Sequence, residues 1–248
     1  EVAMLNLIKM ERYQLFRNRI YQISTLAVFV LGFLMADTYL IDSPGNPGGE
    51  PKTLTDIWNS MIYDSTFLLI LLSCLLAFLL GQEFSCRTID REITAGHSRS
   101  HIFAARLVVL LPAFNLPAFI YPAAGCLREL SRFGLPDGGI FLQTVLRTLV
   151  YSLLQNSAFF LLPLLCCFRL RDMAKSVAAA ALVTFTLALY LGYGMMLGFP
   201  VRFLPTFQIR EAVVLSDWFY PEGLMVALIW YAVLIPAAWG AFRRCELK

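Results

Sequence analysis

Six uncharged, strongly apolar stretches alternate with short polar segments along this 248-residue chain, at 20–36, 65–82, 107–127, 148–168, 176–201 and 223–242. A helix rises about 1.5 Å per residue, so roughly 20 apolar residues cross a hydrocarbon layer of about 30 Å. The pattern predicts six membrane-spanning helices at about 20–41, 61–82, 103–126, 144–168, 174–199 and 223–242. A transmembrane barrel would show segments of about 10 residues alternating with period two, whereas these runs are continuous. The expected fold class is an all-α integral membrane protein, with residues 1–248 forming a single transmembrane domain.

The segments between the spans add detail. Residues 4–19 place Met4, Leu5, Ile8 and Leu15 on one side of a helix and Asn6, Gln14 and Arg17 on the other. This predicts an N-terminal interfacial amphipathic helix, the alternative being a plain charged tail. Asp42 to Lys52 is a turn-rich outer loop. Pro200 to Gly223 is too polar to cross the bilayer and too apolar for an ordinary loop. Short outer helices dipping into the interface, anchored by Trp218, Phe219 and Tyr220, fit it, as does a simple aromatic belt. The longest charged interval, Gly81 to Arg106, reads as a short amphipathic helix between spans two and three.

Charge sets the orientation. With the N-terminus inside, 14 of the 20 Lys and Arg residues lie on inner flanks, so both termini are expected in the cytoplasm. The modest net charge of +3 is then topological and gives no support for nucleic-acid binding. Of six cysteines only Cys126 lies near the outer face, so no disulfide framework is implied.

Most catalytic chemistry is missing. There is no GxxxxGK[ST] sequence, so the chain has no P-loop for ATP and is not expected to be an enzyme by itself. His97 and His101 lack the HExxH pattern, and no metal site is expected. No ionisable residue lies near the middle of any span, which argues against an intramembrane protease and against proton- or sodium-coupled transport. Gln143, Arg147, Tyr151 and Gln155 do share one face of span four, with Asn156 beside them. That stripe and Asn115 of span three are candidates for a substrate pathway or for hydrogen bonding between helices. Gly194 and Gly198 form a GxxxG pattern that suits a dimer contact or packing within the chain. Pro112, Pro117 and Pro122 in span three suit a mobile gate or the ordinary proline content of membrane helices.

The run EFSCRTIDREITAGHSRSHIFAAR resembles the signature of type-2 ATP-binding-cassette (ABC) permeases. It has a Glu-Phe pair leaving span two (Glu83, Phe84), a Thr-Ile pair (Thr88, Ile89), a Ser-Arg pair (Ser98, Arg99), then Ile102 and a basic residue, Arg106, opening span three. Many members carry Gly before the Thr and Lys at the last position, where this chain has Arg87 and Arg106. With six spans and the N-terminal helix, the resemblance extends over nearly the whole chain. It implies a permease subunit working with a second permease chain, identical or different, and two P-loop ATPase subunits that supply ATP and Mg; no cofactor is expected in this chain. It also implies a cytoplasmic coupling helix after span two that docks on the ATPase. Arg87, Arg91 and Arg99 would pair there with acidic groups, and Phe84 and Ile89 would serve as anchors.

The function expected from the resemblance is ATP-driven outward movement of an amphipathic or hydrophobic substrate, peptide, lipid-like or drug-like. Small members with no large outer domain resemble permeases for export of, or immunity to, antimicrobial peptides such as lantibiotics. A bacterial cytoplasmic membrane is the expected location. The competing expectations are a secondary transporter or channel that needs no ATPase, and a membrane scaffold subunit that transports nothing.

Overall fold

A computed structural model describes residues 2–41, 44, 51–134, 138–215 and 218–244. Cys245, Lys248 and most of the predicted outer loop 42–52 lie outside the described residues. Within them the chain forms α1 (Val2–Arg17), α2 (Arg19–Met35), α3 (Thr38–Ile41), α4 (Leu54–Tyr63), α5 (Thr66–Ser85) and α6 (Thr88–Thr94). It continues through α7 (Arg99–Phe133), α8 (Gly138–Leu170), α9 (Met173–Leu197), α10 (Pro205–Val214) and α11 (Pro221–Arg243). Six helical stretches are long and apolar enough to cross a membrane: Arg19–Ile41, α5, α7, α8, α9 and α11.

The centre of the bundle is α7 and α8, each with 61% of its most apolar window enclosed, against 17% to 22% for Arg19–Ile41, α9 and α11. The outer helices expose residues such as Leu26, Leu182, Phe185 and Leu228, as helices facing acyl chains do. α2 packs along α7, α5 along α9 and α8, and α11 along α8. At the α2–α7 crossing, a Cβ on Gly32 would stand 2.3 Å from the carbonyl oxygen of Tyr121. Only glycine lets the two backbones approach so closely there.

The 35 residues of α7 make a rod of about 52 Å, longer than the hydrocarbon layer is thick. It stays helical through Pro112, Pro117 and Pro122. Pro117 cannot donate to the carbonyl of Ala113 one turn earlier. The Tyr21 hydroxyl, arriving from α2, donates to that carbonyl at 2.7 Å. The group freed by the proline is thus satisfied by a neighbouring helix, as hydrocarbon surroundings demand.

Several boundaries differ from the sequence reading. Span two begins at Thr66, not near 61, because residues 54–63 form a separate helix, α4. Thr53 and Asp56 build a capping box at its start, and Asp64 and Ser65 break the chain before α5. α1 also turns differently from expectation: Leu7, Glu11 and Leu15 are buried, while Leu5 is 57% exposed. Its inner face packs on α7, and Asn18 then caps α2 by accepting the Ile20 N–H at 2.9 Å. After α9, the described residues of the segment 200–220 contain one helix, α10, packed on α8. Tyr220 is buried there, whereas Trp218 and Phe219 are exposed.

The pairing of Tyr21 with Pro117 is testable. Tyr21→Phe leaves the Ala113 carbonyl without its donor and should destabilise the protein by about 1–3 kcal/mol, read as a fall in apparent melting temperature in detergent. In a Pro117→Ala background the backbone N–H returns, and the loss should shrink. Equal losses in both backgrounds would show that the hydroxyl has another role.

Candidate functional site

The polar segment 81–106 folds as the end of α5, a sharp turn, α6, a second turn and the start of α7. Arg87 makes the first turn with φ of 54°, in the left-handed region. This is the position at which many members of the resembled family carry glycine, the residue that adopts such a φ without strain. Gly96, at φ of 92°, makes the second turn. Ser98 then caps α7, accepting the His101 N–H at 3.3 Å.

These turns bring four charged side chains to one point. The guanidinium of Arg106, only 1% exposed, lies at the centre on α7. Its Nε is 3.2 Å from Glu11 of α1, one terminal nitrogen is 2.6 Å from Glu83 of α5, and the other is 3.1 Å from Glu92 of α6. The last nitrogen donates to both Glu92 oxygens, each at 3.1 Å. Arginine suits the position because its planar fork offers donors in three directions at once. One buried cation therefore ties the N-terminal helix, span two, the segment helix and span three together.

Three carboxylates around one guanidinium leave an excess of negative charge. Burial pushes the Glu92 carboxyl above its usual range, Arg106 opposes that shift, and the nearby Glu11 charge adds to it. A cavity of about 230 Å³ lies alongside, lined by Glu11, Gln14, Gln82, Glu83, Cys86 and Thr88 among others. Glu83, with 28% of its side chain exposed, is the most accessible of the three acids.

The remaining segment residues divide into two sets. Arg87 and Arg91 are exposed, as is Cys86. Phe84 and Ile89, expected to anchor a partner, instead face this chain's own core. Ile89 is 3% exposed, and Phe84 packs edge-on against Phe168 of α8 with ring centres 6.0 Å apart. Ile89 turns inward because α6, a helix of only 7 residues, carries Ile89 and Glu92 together on its buried side, whereas Phe84 lies in the last turn of α5. Thr88 is half-buried at its start. Arg99 is half-buried and donates to the Arg243 carbonyl at 2.6 Å, capping the end of α11.

The other sequence candidates lie elsewhere. Asn115 donates to Ser157 of α8 at 2.8 Å and to the Leu111 carbonyl of its own helix. Arg147, Tyr151, Gln155 and Asn156 are buried. The Tyr151 hydroxyl accepts the Tyr220 N–H at 2.7 Å and donates to the Trp218 carbonyl at 3.2 Å, while Gln155 donates to the Gly223 carbonyl at 2.6 Å. The polar stripe is thus covered by the segment leading into α11. Gly198 ends α9 in a left-handed turn with φ of 75°, and a Cβ on Gly194 would stand 2.3 Å from the Val201 side chain. This GxxxG pair therefore shapes the end of α9 against its own following chain.

Glu11 and Glu92 were not singled out from the sequence. The available signal for Glu11 was a carboxylate at i+4 between Leu7 and Leu15 on a single helix face.

Removing Arg106 should strand two buried carboxylates, Glu11 and Glu92, beside the partly exposed Glu83. Arg106→Met should cost about 3–5 kcal/mol, and Arg106→Lys should fall between it and the parent because one ammonium cannot serve three acids. Adding Glu11→Gln and Glu92→Gln to Arg106→Met should restore part of the loss. Thermal unfolding in detergent measures all three, and an Arg106→Met protein as stable as the parent would refute the arrangement.

Comparison with known proteins agrees with this architecture. No curated protein matches the chain. The family model described as ABC-2 family transporter protein matches residues 7–192, from α1 through most of α9 and including the whole Arg106 cluster. That is well over half of the chain, which accordingly belongs to the ABC-2 transporter family, whose membrane subunits partner with an ABC ATPase.

Proposed function

We propose that this protein is the transmembrane subunit of an ATP-driven exporter in a bacterial cytoplasmic membrane, with α6 receiving the movement of a separate ATPase. The observation that carries this reading is the Arg106 cluster. A force applied to α6 acts through Glu92 on Arg106, and through Arg106 on α1, α5 and α7 together. A short helix pinned in this way moves as a rigid body with the helices it joins. Arg87 and Arg91 offer exposed cationic contacts for an acidic surface, while Ile89 and Phe84 pack within this chain.

The functional unit in this reading holds two permease chains, identical or different, and two ATPase subunits carrying ATP and Mg. The cargo is an amphipathic or hydrophobic molecule, with antimicrobial peptides a suitable class. An apolar cleft of about 460 Å³ between α4, α7 and α8, lined by Trp58, Leu127 and Phe141 among others, supports an apolar cargo. The buried stripe of Arg147, Tyr151, Gln155 and Asn156 would line the route when the segment before α11 lifts away from α8.

Cys86 provides the test, since it is an exposed native thiol beside α6. Crosslinking through Cys86 in membranes should capture a protein that contains a P-loop, identified by mass spectrometry. Arg91→Ala should leave the melting temperature unchanged and lower ATP-driven transport about 5- to 150-fold, the range of ordinary coupling energies. Transport by the purified chain alone, or no ATPase captured or copurified, would overturn the proposal.

A further inference from the structure

The opposite side of α1 presents a second feature that coupling does not use. Lys9, Arg12, Tyr13, Phe16 and Arg17 follow one another at i, i+3, i+4, i+7 and i+8 and so share a face. This face points away from the buried Leu7, Glu11 and Leu15. Together with Gln22 of α2 these residues line an open groove of about 580 Å³, within the range of roughly 300–1,000 Å³ that holds small molecules. The three cations are exposed, and none is paired with a carboxylate among the described residues. Arg17 lies over the Tyr13 ring at 5.6 Å and donates to its hydroxyl, which holds the guanidinium at the groove.

The groove's surroundings select among anionic ligands. Tyr13 is 60% exposed and Phe16 42% exposed, and the first turns of α2 expose Ile20 and Ile23. A cationic groove with aromatic sides, set where a span enters the membrane, matches both the polar and the apolar portions of a lipid. The positive-inside rule puts it on the cytoplasmic leaflet, the leaflet rich in anionic lipid. We propose that the groove between α1 and the start of α2 binds the headgroup of an anionic phospholipid, with Lys9, Arg12 and Arg17 around its phosphate and Tyr13 and Phe16 against its glycerol and upper acyl carbons. This inference does not depend on the cargo or on the ATPase.

The test uses the full chain in phosphatidylcholine nanodiscs doped with a phosphatidylglycerol that carries a photoreactive diazirine near its headgroup. Peptide mass spectrometry should map the crosslink to residues 9–22. Unlabelled phosphatidylglycerol should compete, whereas phosphatidylcholine and millimolar inorganic phosphate should not. Each of Lys9→Gln, Arg12→Gln and Arg17→Gln should lower labelling by up to about fivefold, the triple variant should reduce it to the phosphatidylcholine background, and Arg12→Lys with Arg17→Lys should retain it. All these residues are exposed, so melting temperatures should not move. Equal labelling by a phosphatidylcholine probe, or unchanged labelling in the triple variant, would overturn the proposal, as would competition by inorganic phosphate. Loss of ATPase copurification in the triple variant with lipid labelling intact would assign the surface to the ATPase instead and equally overturn it.

Discussion

Arg106 is enclosed by carboxylates from three helices, and the end of the bundle that carries α6 can be assembled only in ways that keep them there. A charge withdrawn from water is tolerated when opposite charges stay in contact with it, and the attraction halves when the separation doubles. Moving α6 away from α7 would therefore leave a guanidinium and a carboxylate buried apart, which costs more than breaking an exposed pair. Such a cluster contributes little net stability over a well-packed apolar core. What it sets is register: one rotamer of Arg106 meets Glu11, Glu83 and Glu92 only when α1, α5 and α6 stand at their observed heights.

A second contact network reinforces the first on the other side of α5. Glu83 faces Arg106, while its neighbour Phe84 faces Phe168, which packs against Phe103 and Phe242. Arg99 and Arg171 then cap the end of α11 through the carbonyls of Arg243 and Arg244. Ionic, aromatic and capping contacts thus join α5, α7, α8 and α11 at their inner ends. Farther along, α7 continues as one helix past Pro117, where Tyr21 donates to the carbonyl that the proline leaves free.

The six spans were readable from the sequence because hydrocarbon imposes a length on uncharged runs, and that length does not depend on tertiary contacts. Their ends were less readable: α7 continues through Arg128, Glu129 and Arg132, polar residues that end a hydrophobic run without ending a helix. α4 escaped notice because its residues mix polarity, although Thr53 and Asp56 carried a capping signal. In the site, resemblance pointed to Glu83 and Arg106 but could not show that they bind each other. Glu11 and Glu92 were out of reach, since which acid meets Arg106 depends on how α1 and α6 lie across α7. Phe84, at the end of α5, and Ile89, on the 7-residue α6, are anchors by resemblance alone, and so short a helix has too few turns for its pattern to show that Ile89 faces inward.

The two faces of α1 connect these observations. Glu11 binds it to Arg106, while Lys9, Arg12 and Arg17 on the far side meet the region of the lipid headgroups. With α1 at the level of the headgroups, sinking it would bury these cations in the hydrocarbon, which resists its displacement across the membrane. In the proposed lipid contact, Arg106 is tied to an element whose depth the bilayer would set. If α6 is pushed, α1 can slide or tilt in the plane more readily than it can follow the push across the plane. The resulting motion of α5 and α7 would be a rotation about their inner ends rather than a translation through the membrane. That geometry lets a small cytoplasmic movement separate the outer ends of long helices such as α7 and α8 by a larger amount.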